Sequence, residues 1–339
     1  MITIDGSQGE GGGQILRTSL ALSLITRQAF RMENIRAGRK KPGLLNQHLT
    51  AVNAAKSIGG AEVVGAELSS QTIEFRPGAI HAGNYRFAVG TAGSATLVLQ
   101  TILPPLLIAS APSSITFEGG THNPAAPPFD FLQKCFAPVI VSLGPRVDLK
   151  LHRPGFFPAG GGSFQARIEP VKQLAPIELL DCGEVTSGQA RALVSKLSPQ
   201  IAERELAVIR KELPQMAAEC RIESVESAGP GNALLLEFDA GNVNAVFTGF
   251  GERGRSAEEI ARSAVSAAKA WLSAQVPVDE HLADQLLLPM ALAGSGAFRT
   301  TKPSSHATTN AGVIQRFLAV GIQFDPEDDA TWLVSVYRK

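Results

Sequence analysis

The sequence predicts an α/β (α+β) fold of three repeated units, each a sheet with two helices, with a smaller α/β domain inserted in the last unit. Three observations carry this. Glycine-rich turns open apolar helices three times, in "GEGGGQILRTSLALSLIT", "GTAGSATLVLQTILPPLLI" and "HLADQLLLPMALAGSG". A second kind of helix recurs in "PGLLNQHLTAVNAAKSIGG", "PPFDFLQKCFAPVIVSLG" and "ATTNAGVIQRFLAVG", each followed by extended sequence. The second-type helices begin near 43, 127 and 307, so the second interval is roughly twice the first, as an insertion in the third repeat requires.

The first-type helices begin near Gln14, Ser94 and Leu282, and their leucines mix with small residues, which gives a broad buried face. The second-type helices are expected to start with a proline in the first turn at Pro42 and Pro127 and near Ala307. Each is expected to end at a glycine. The stretches that follow alternate apolar and polar residues and read as antiparallel strands. The larger domain is expected over 1–177 and 277–339, and the insertion over 178–276. Within the insertion, "GQARALVSKLSPQIAERELAVIRKEL" reads as one helix strained by Pro199, and "NALLLEFD" and "NAVFTGF" read as strands. A final helix opens with a Ser256/Glu259 capping box.

Composition bounds the class. Of 339 residues, 44% are hydrophobic and 18% charged, with 31 basic against 31 acidic side chains. That balance is globular, and nucleic acid would have to bind through a local basic patch. With 6% aromatics, a pure RNA-binding module has little stacking surface. Three cysteines without CxxC spacing argue against a disulfide framework and a zinc site. The N-terminus carries no secretory signal pattern, and a cytoplasmic location is expected. The charge-free run from Phe87 to Phe117 is interrupted by Gln100, Pro104 and Pro105, which favours a buried helix over a membrane span.

Several stretches can carry chemistry. "GSQGEGGGQILR" matches neither the Walker A loop nor GxGxxG, because Gln14 takes the last position. Its glycines still expose N–H groups to an anion, Glu10 can hold a divalent metal, and Arg17 lies farther along the helix; a tight strand-to-helix turn is the plainer account. "RAGRKKPGLLNQH" clusters Arg36, Arg39, Lys40 and Lys41 ahead of Gln47 and His48. Such a cluster suits a phosphate-bearing end, although a solvated basic loop is the commoner fate. "RPGFFPAGGGSF" reads as a hairpin loop whose glycines permit close backbone approach. In "HLADQ", Asp284 sits on an apolar helix and needs a partner. His306, in "TTKPSSHATTNAG", has no second histidine at metal-ligand spacing. By default it is a loop or helix-start residue, yet a neutral imidazole among small neighbours can also attack phosphorus.

Taken together, "GEGGGQILR", "RAGRKKPGL.NQHL", "GTAGSATLVLQT", "GGTHNPAAPP", "PAGGG", "LADQL.LPMALAG" and "PSSH" occur in order over essentially the whole chain. They closely resemble the RNA 3′-terminal phosphate cyclases. The resemblance implies three repeats like the C-terminal domain of the third translation initiation factor, and an inserted domain of thioredoxin-like connectivity. It implies an ATP-dependent enzyme using Mg²⁺ or Mn²⁺. A histidine takes AMP from ATP, passes it to an RNA 3′-phosphate, and the neighbouring 2′-OH closes a 2′,3′-cyclic phosphate. By motif matching the nucleophile is His306 and the metal ligand Glu10. Arg17, Arg36, Arg39, Gln47 and His48 surround phosphates or the RNA end. Gln100, His281, Leu282, Ala283, Asp284 and Gln285 contact the nucleotide, and Pro127 lines the adenine pocket. Asp284 is the expected group orienting the imidazole.

The sequence departs from the family pattern at Pro154, Phe164 and His281, where Arg or His, an aliphatic residue and tyrosine are usual. The alternatives are a cyclase-like protein of ribosome assembly, which lacks the nucleophile, and, more remotely, a sugar enolpyruvyl transferase.

Overall fold

The computed structural model describes residues 1–339. The first unit runs β1 (Ile2–Asp5), α1 (Gly13–Thr26), β2 (Phe30–Glu33), α2 (Asn46–Gly59), β3 (Glu62–Val64) and β4 (Ile73–Arg76). The second runs β5 (Asn84–Ala88), α3 (Ala95–Leu107), β6 (Ser113–Gly119), then α4 (Phe129–Phe131), which continues through a π turn (Leu132–Phe136) into α5 (Ala137–Ser142), and ends in β7 (Arg146–Arg153) and β8 (Gly162–Glu169). The third opens with β9 (Glu178–Leu179). An intervening segment follows: β10 (Ser187–Ser195), α6 (Gln200–Glu212), a 3₁₀ turn (Pro214–Glu219), β11 (Cys220–Ser224), β12 (Gly231–Asp239), β13 (Ala245–Phe250) and α7 (Ala257–Ala274). The third unit resumes with α8 (Glu280–Ala293), β14 (Gly296–Thr300), α9 (Ser305–Phe317), β15 (Val320–Pro326) and β16 (Trp332–Arg338).

The chain is thus mixed α/β, and its units share one plan, βαβαββ rather than sheet followed by helices. The sheet orders are β1-β2-β4-β3, β5-β6-β8-β7 and β9-β14-β16-β15. In each, the first two strands are parallel and the remaining pairs antiparallel. The segment between β9 and α8 forms a fourth sheet, β11-β10-β12-β13.

Packing explains the apolar runs. α1 touches α2, α3 and α9, and α8 touches α9. These helices lie within one core of 67 buried residues. The inserted sheet has a second core of 21, large enough to order its own two helices. Its strand β12 is buried on both faces: Leu234, Leu236 and Phe238 face the smaller core, while Ala233 and Leu235 join the larger one. A strand covered on both faces needs no polar alternation, hence "NALLLEFD". On the face toward the larger core, Arg191 donates to Asp130 (2.7 Å), Glu237 (2.8 Å) and Glu223 (2.8 Å), tying the insertion to α4. No helix is long and apolar enough to cross a membrane.

Four local expectations are corrected. Gly188 to Ser195 is strand β10, not helix, and Pro199 is the residue before α6. β10 sits centrally between β11 and β12, and that pairing outweighs the helical preference of its alanines, leucine and arginine. Pro42 and Pro127 precede their helices, which start at Asn46 and Phe129. α9 starts at Ser305 and runs straight into extended Leu318, with Gly321 inside β15, so no glycine ends it.

Candidate active site

The fold gathers the first turns of α1, α2, α3, α8 and α9. Their exposed N–H groups and dipoles favour an anion nearby. α9 is capped by Ser304, whose hydroxyl accepts from Ala307 N–H (3.2 Å), and α8 by Asp279, which accepts from His281 N–H (2.8 Å) and Leu282 N–H (3.2 Å). These caps fix where His306 and Asp284 leave their helices.

His306 is 53% exposed at its side chain. Its Nδ1 lies 2.9 Å from Gln14 Oε1. Gln14 Nε2 donates to Asp284 Oδ1, which also accepts from Asn310 Nδ2 (3.1 Å). Asn310 Oδ1 in turn accepts from the Thr18 hydroxyl (2.7 Å). A carboxylate only accepts, so the amide nitrogen of Gln14 must face Asp284 and its oxygen must face the imidazole. Nδ1 therefore carries the proton, and Nε2 is left with a free lone pair. Asp284 is not the group that orients His306: Gln14, from α1, lies between them. Burial pushes the Asp284 carboxyl up, against the opposing pull of Gln14, His306, Arg17 and Asn310.

Glu10 lies beside this chain with its side chain 4% exposed, Oε1 3.9 Å from His306 Nδ1. Its N–H donates to Thr309 Oγ1 (3.1 Å). Arg39 Nη2 donates to the Glu10 carboxylate and to its carbonyl oxygen (2.7 Å). Arg36 adopts a left-handed backbone (φ 54) and donates to the carbonyls of Lys41 (2.7 Å) and Gly43 (2.8 Å), which folds the basic loop back on itself. Burial and Arg39 both lower its pKa.

Arg17, half-buried, is lowered to about 10 by burial, with Asp284 and Glu10 favouring its charge. It remains a cation at neutral pH. His48 Nδ1 accepts from Leu45 N–H (3.1 Å), so Nε2 bears the proton. Burial, with Arg17 and Arg36, pushes His48 down to about 3. It is a neutral N–H donor. Gly13 makes room for both groups, since a Cβ there would fall on the His48 ring and 2.8 Å from Arg17 Nη1.

A second line of contacts runs along α3. Gln47 Oε1 accepts from Ser94 N–H (2.8 Å). The Ser94 hydroxyl meets Thr96 Oγ1 (2.6 Å), which donates to Pro127 O (2.8 Å). Gln100 Nε2 donates to Gln285 Oε1, joining α3 to α8. His281 is exposed at the start of α8, 3.9 Å from Glu280. Leu282 and Ala283 are buried on the apolar stripe of α8, with their side chains in the core.

The structure thus draws together Glu10, Arg17, Arg39, His48, Asp284 and His306, with Arg36 on the adjoining loop. Gln47, Gln100, Pro127 and Gln285 form the neighbouring line. Asn310 and Thr18 were absent from the sequence reading, and Gln14 entered it only as a helix start and as the break in a nucleotide-loop pattern. Their signal was spacing alone: Gln14 is three residues before Arg17, and Asn310 four after His306, each pair on one helix face.

A histidine with one nitrogen held and the other free, set among arginines and helix N-termini, is the arrangement of a nucleotidyl- or phosphoryl-transfer enzyme. The family model for RNA 3′-terminal phosphate cyclase matches residues 8–324. The chain is 54% identical over 330 residues to the RNA 3′-terminal phosphate cyclase of Koribacter versatilis, covering 97% of this chain and 93% of that protein. It is 50% identical over 331 residues to that of Ralstonia nicotianae, covering 97% and 95%. It is 47% identical over 321 residues to that of Salmonella typhimurium, covering 94% of each chain. The chain belongs to the RNA 3′-terminal phosphate cyclase family.

Proposed function

We propose that this chain converts an RNA 3′-phosphate to a 2′,3′-cyclic phosphate at the expense of ATP. The observation that carries the mechanism is the His306–Gln14–Asp284 chain, which leaves Nε2 free beside a cationic pocket. His306 Nε2 attacks the α-phosphorus of ATP, and the bond to the β-phosphate oxygen breaks, releasing pyrophosphate. The imidazole becomes cationic as Nε2 bonds to phosphorus. Gln14 Oε1 holds its Nδ1–H, and the Glu10 and Asp284 carboxylates offset the charge. An oxygen of the RNA 3′-phosphate then displaces His306 from the adenylyl phosphorus, returning the electron pair to Nε2. The 2′-OH attacks the activated 3′-phosphorus, AMP leaves, and the hydroxyl proton passes to solvent.

Arg17, Arg36, Arg39 and the Nε2–H of His48 serve the phosphates. Neutral His48 adds a donor without adding charge. The line from Gln47 through Pro127, with Gln100, Gln285 and His281, serves the nucleotide, and the departure at His281 leaves an exposed imidazole there. No three His, Cys, Asp or Glu side chains converge on one point, so a wholly protein-made metal cage is lacking. One buried carboxylate beside phosphates fits Mg²⁺ or Mn²⁺, which keep waters and share substrate oxygens. Glu10 would hold the ion, which would neutralise phosphate charge when bound.

The larger unit, 1–177 and 277–339 together with the β9 pair, resembles three copies of the C-terminal domain of the third initiation factor. The inserted unit, expected over 178–276, begins after β9, which pairs with β14 in the larger unit, and has a βαβ-then-ββα order akin to thioredoxin. The cytoplasm is the proposed location. A catalytically inactive cyclase-like role is disfavoured by the presence of His306, Glu10 and Arg17. The test is incubation of a 5′-labelled RNA 3′-phosphate with ATP and Mg²⁺. The label is expected to become resistant to phosphatase-dependent mobility change, and unchanged phosphatase sensitivity would refute the activity.

A further inference from the structure

The hairpin between β7 and β8, "RPGFFPAGGG", has no part in the chemistry above. Its build is unusual for a mere connection. Gly160 has φ +66 and packs so closely on the 91–92 backbone that a Cβ would lie 2.8 Å from both Ala92 Cα and Thr91 O. Gly161, at φ +70, leaves 2.6 Å to Ala228 of the insertion for such an atom. Arg153 Nε donates to Gly161 O (2.7 Å), and Gly160 N–H donates to Phe156 O (2.7 Å). Phe156 is buried against His122, ring centres 5.5 Å apart. The loop is therefore pinned between the 91–92 backbone, the insertion and its own core residue.

From this fixed base the next residue, Phe157, stands out at 69% exposure, the highest among the exposed large hydrophobic side chains. Nothing in the core accounts for it. Two cations are anchored on the same base. Arg153 and Lys196 are both exposed, and each hydrogen-bonds only a backbone carbonyl, Gly161 O and Ala228 O (2.9 Å). Neither pairs with a carboxylate, unlike most arginines of this chain. The hairpin also adjoins the phosphate pocket. The 91–92 backbone under Gly160 leads into Ser94, whose N–H is held by Gln47, the neighbour of His48. A rigidly presented aromatic, flanked by uncompensated cations and one loop away from a phosphate site, is the arrangement that holds single-stranded nucleic acid: bases stack on the ring and cations track the backbone.

We propose that Phe157 is a stacking platform for a base of the RNA upstream of its terminal phosphate, with Arg153 and Lys196 contacting backbone phosphates. This rests on the cyclase reading of the site and adds a subsite to it. The ring face tolerates any base, so the contact gives grip without sequence preference.

The experiment measures binding of a 5′-fluorescein RNA decamer ending in a 3′-phosphate, without ATP, by anisotropy. Phe157→Ala is expected to weaken binding about tenfold and Phe157→Trp to restore it. A scan of single abasic sites should find one upstream position where wild type loses the same factor and where Phe157→Ala loses nothing more. Arg153→Gln and Lys196→Gln should each lower the salt slope by about one. Binding by Phe157→Ala within twofold of wild type, or an equal loss on every abasic RNA, overturns the proposal. So does a change in self-association by sedimentation with RNA binding intact, which would make Phe157 a protein contact. The two readings fail separately: if wild type takes no label from α-labelled ATP, the cyclase reading falls, whereas labelling with RNA binding independent of Phe157 sinks only the stacking subsite.

Discussion

Replacing Gln14 by leucine tests the site's internal logic. The substitution keeps the side chain's bulk on α1 and removes both of its hydrogen bonds, to His306 Nδ1 at 2.9 Å and to Asp284. Asp284 retains its donor from Asn310, so the fold keeps that anchor. The loss falls on the imidazole, which is no longer held in the tautomer that frees Nε2 and has no acceptor for Nδ1–H as positive charge develops. A hydrogen bond to a charged group contributes about 1.5–3 kcal/mol. That corresponds to roughly a ten- to hundredfold slower adenylation. Gln14→Glu restores an acceptor but sets a second carboxylate against Asp284. It should recover part of the rate, with the acidic limb of the pH profile moved to higher pH. The assay is single-turnover transfer of label from α-labelled ATP to protein across pH 5–9. Gln14→Leu labelling at the wild-type rate would refute the claim that Gln14 sets the reacting nitrogen.

Four further outcomes follow from the same geometry. Because Arg39 occupies the Glu10 carboxylate, Arg39→Gln should bind Mn²⁺ several-fold tighter without nucleotide, by electron paramagnetic resonance, while Lys40→Gln should not; equal effects would reduce this to net charge. Glu10→Gln should lose that Mn²⁺ binding. His48 stays neutral down to about pH 3 when folded, whereas an unfolded histidine protonates near 6.5. The unfolded state then binds the extra proton, so stability should fall as pH drops from 6.5 toward 3, by at most about 1.4 kcal/mol per unit. His48→Asn should flatten that slope in urea melts. Glu205, buried with Oε1 unpartnered and Oε2 accepting from Asn232 (3.0 Å), is raised to about 7. The folded state holds this proton after the unfolded state has lost it, so stability declines as pH rises from 4.5 through 7. Glu205→Gln should therefore stabilise the chain by about 2–3 kcal/mol at pH 8 and little at pH 4. An equal shift in melting temperature at both pH values would contradict the buried-acid account.

What the sequence disclosed depended on how local each signal was. α1, α3 and α8 were legible because each carries its apolar run in one stretch with a local start signal, glycines before α1 and α3 and the Asp279 cap before α8. The long interval between the second-type helices reflects the β10–α7 segment that lies between β9 and α8, and such spacing is readable without knowing the fold. β10 was misread because its alanines, leucine and arginine favour helix in isolation, and only β11 and β12 on either side make it a strand. Leu282 and Ala283 share a motif with Asp284 but are buried in the core, while Asp284 turns to Gln14 and Asn310. Linear adjacency does not report helix face. Gln14 was hidden for a different reason. It was noticed only for breaking a nucleotide-loop pattern, and its partners Asp284 and His306 lie far along the chain on two other helices. Asp284 was expected beside the imidazole by motif matching to the family, yet the first unit's α1 supplies the side chain between them.

The central claim is that His306 takes AMP from ATP. The direct measurement is mass spectrometry of the protein after incubation with ATP and Mg²⁺ or Mn²⁺, followed by peptide mapping. The account predicts one added AMP, stable to alkali and labile to acid, on the peptide containing His306, and none on His306→Ala. An adduct on another residue, or an equal adduct on His306→Ala, would contradict it.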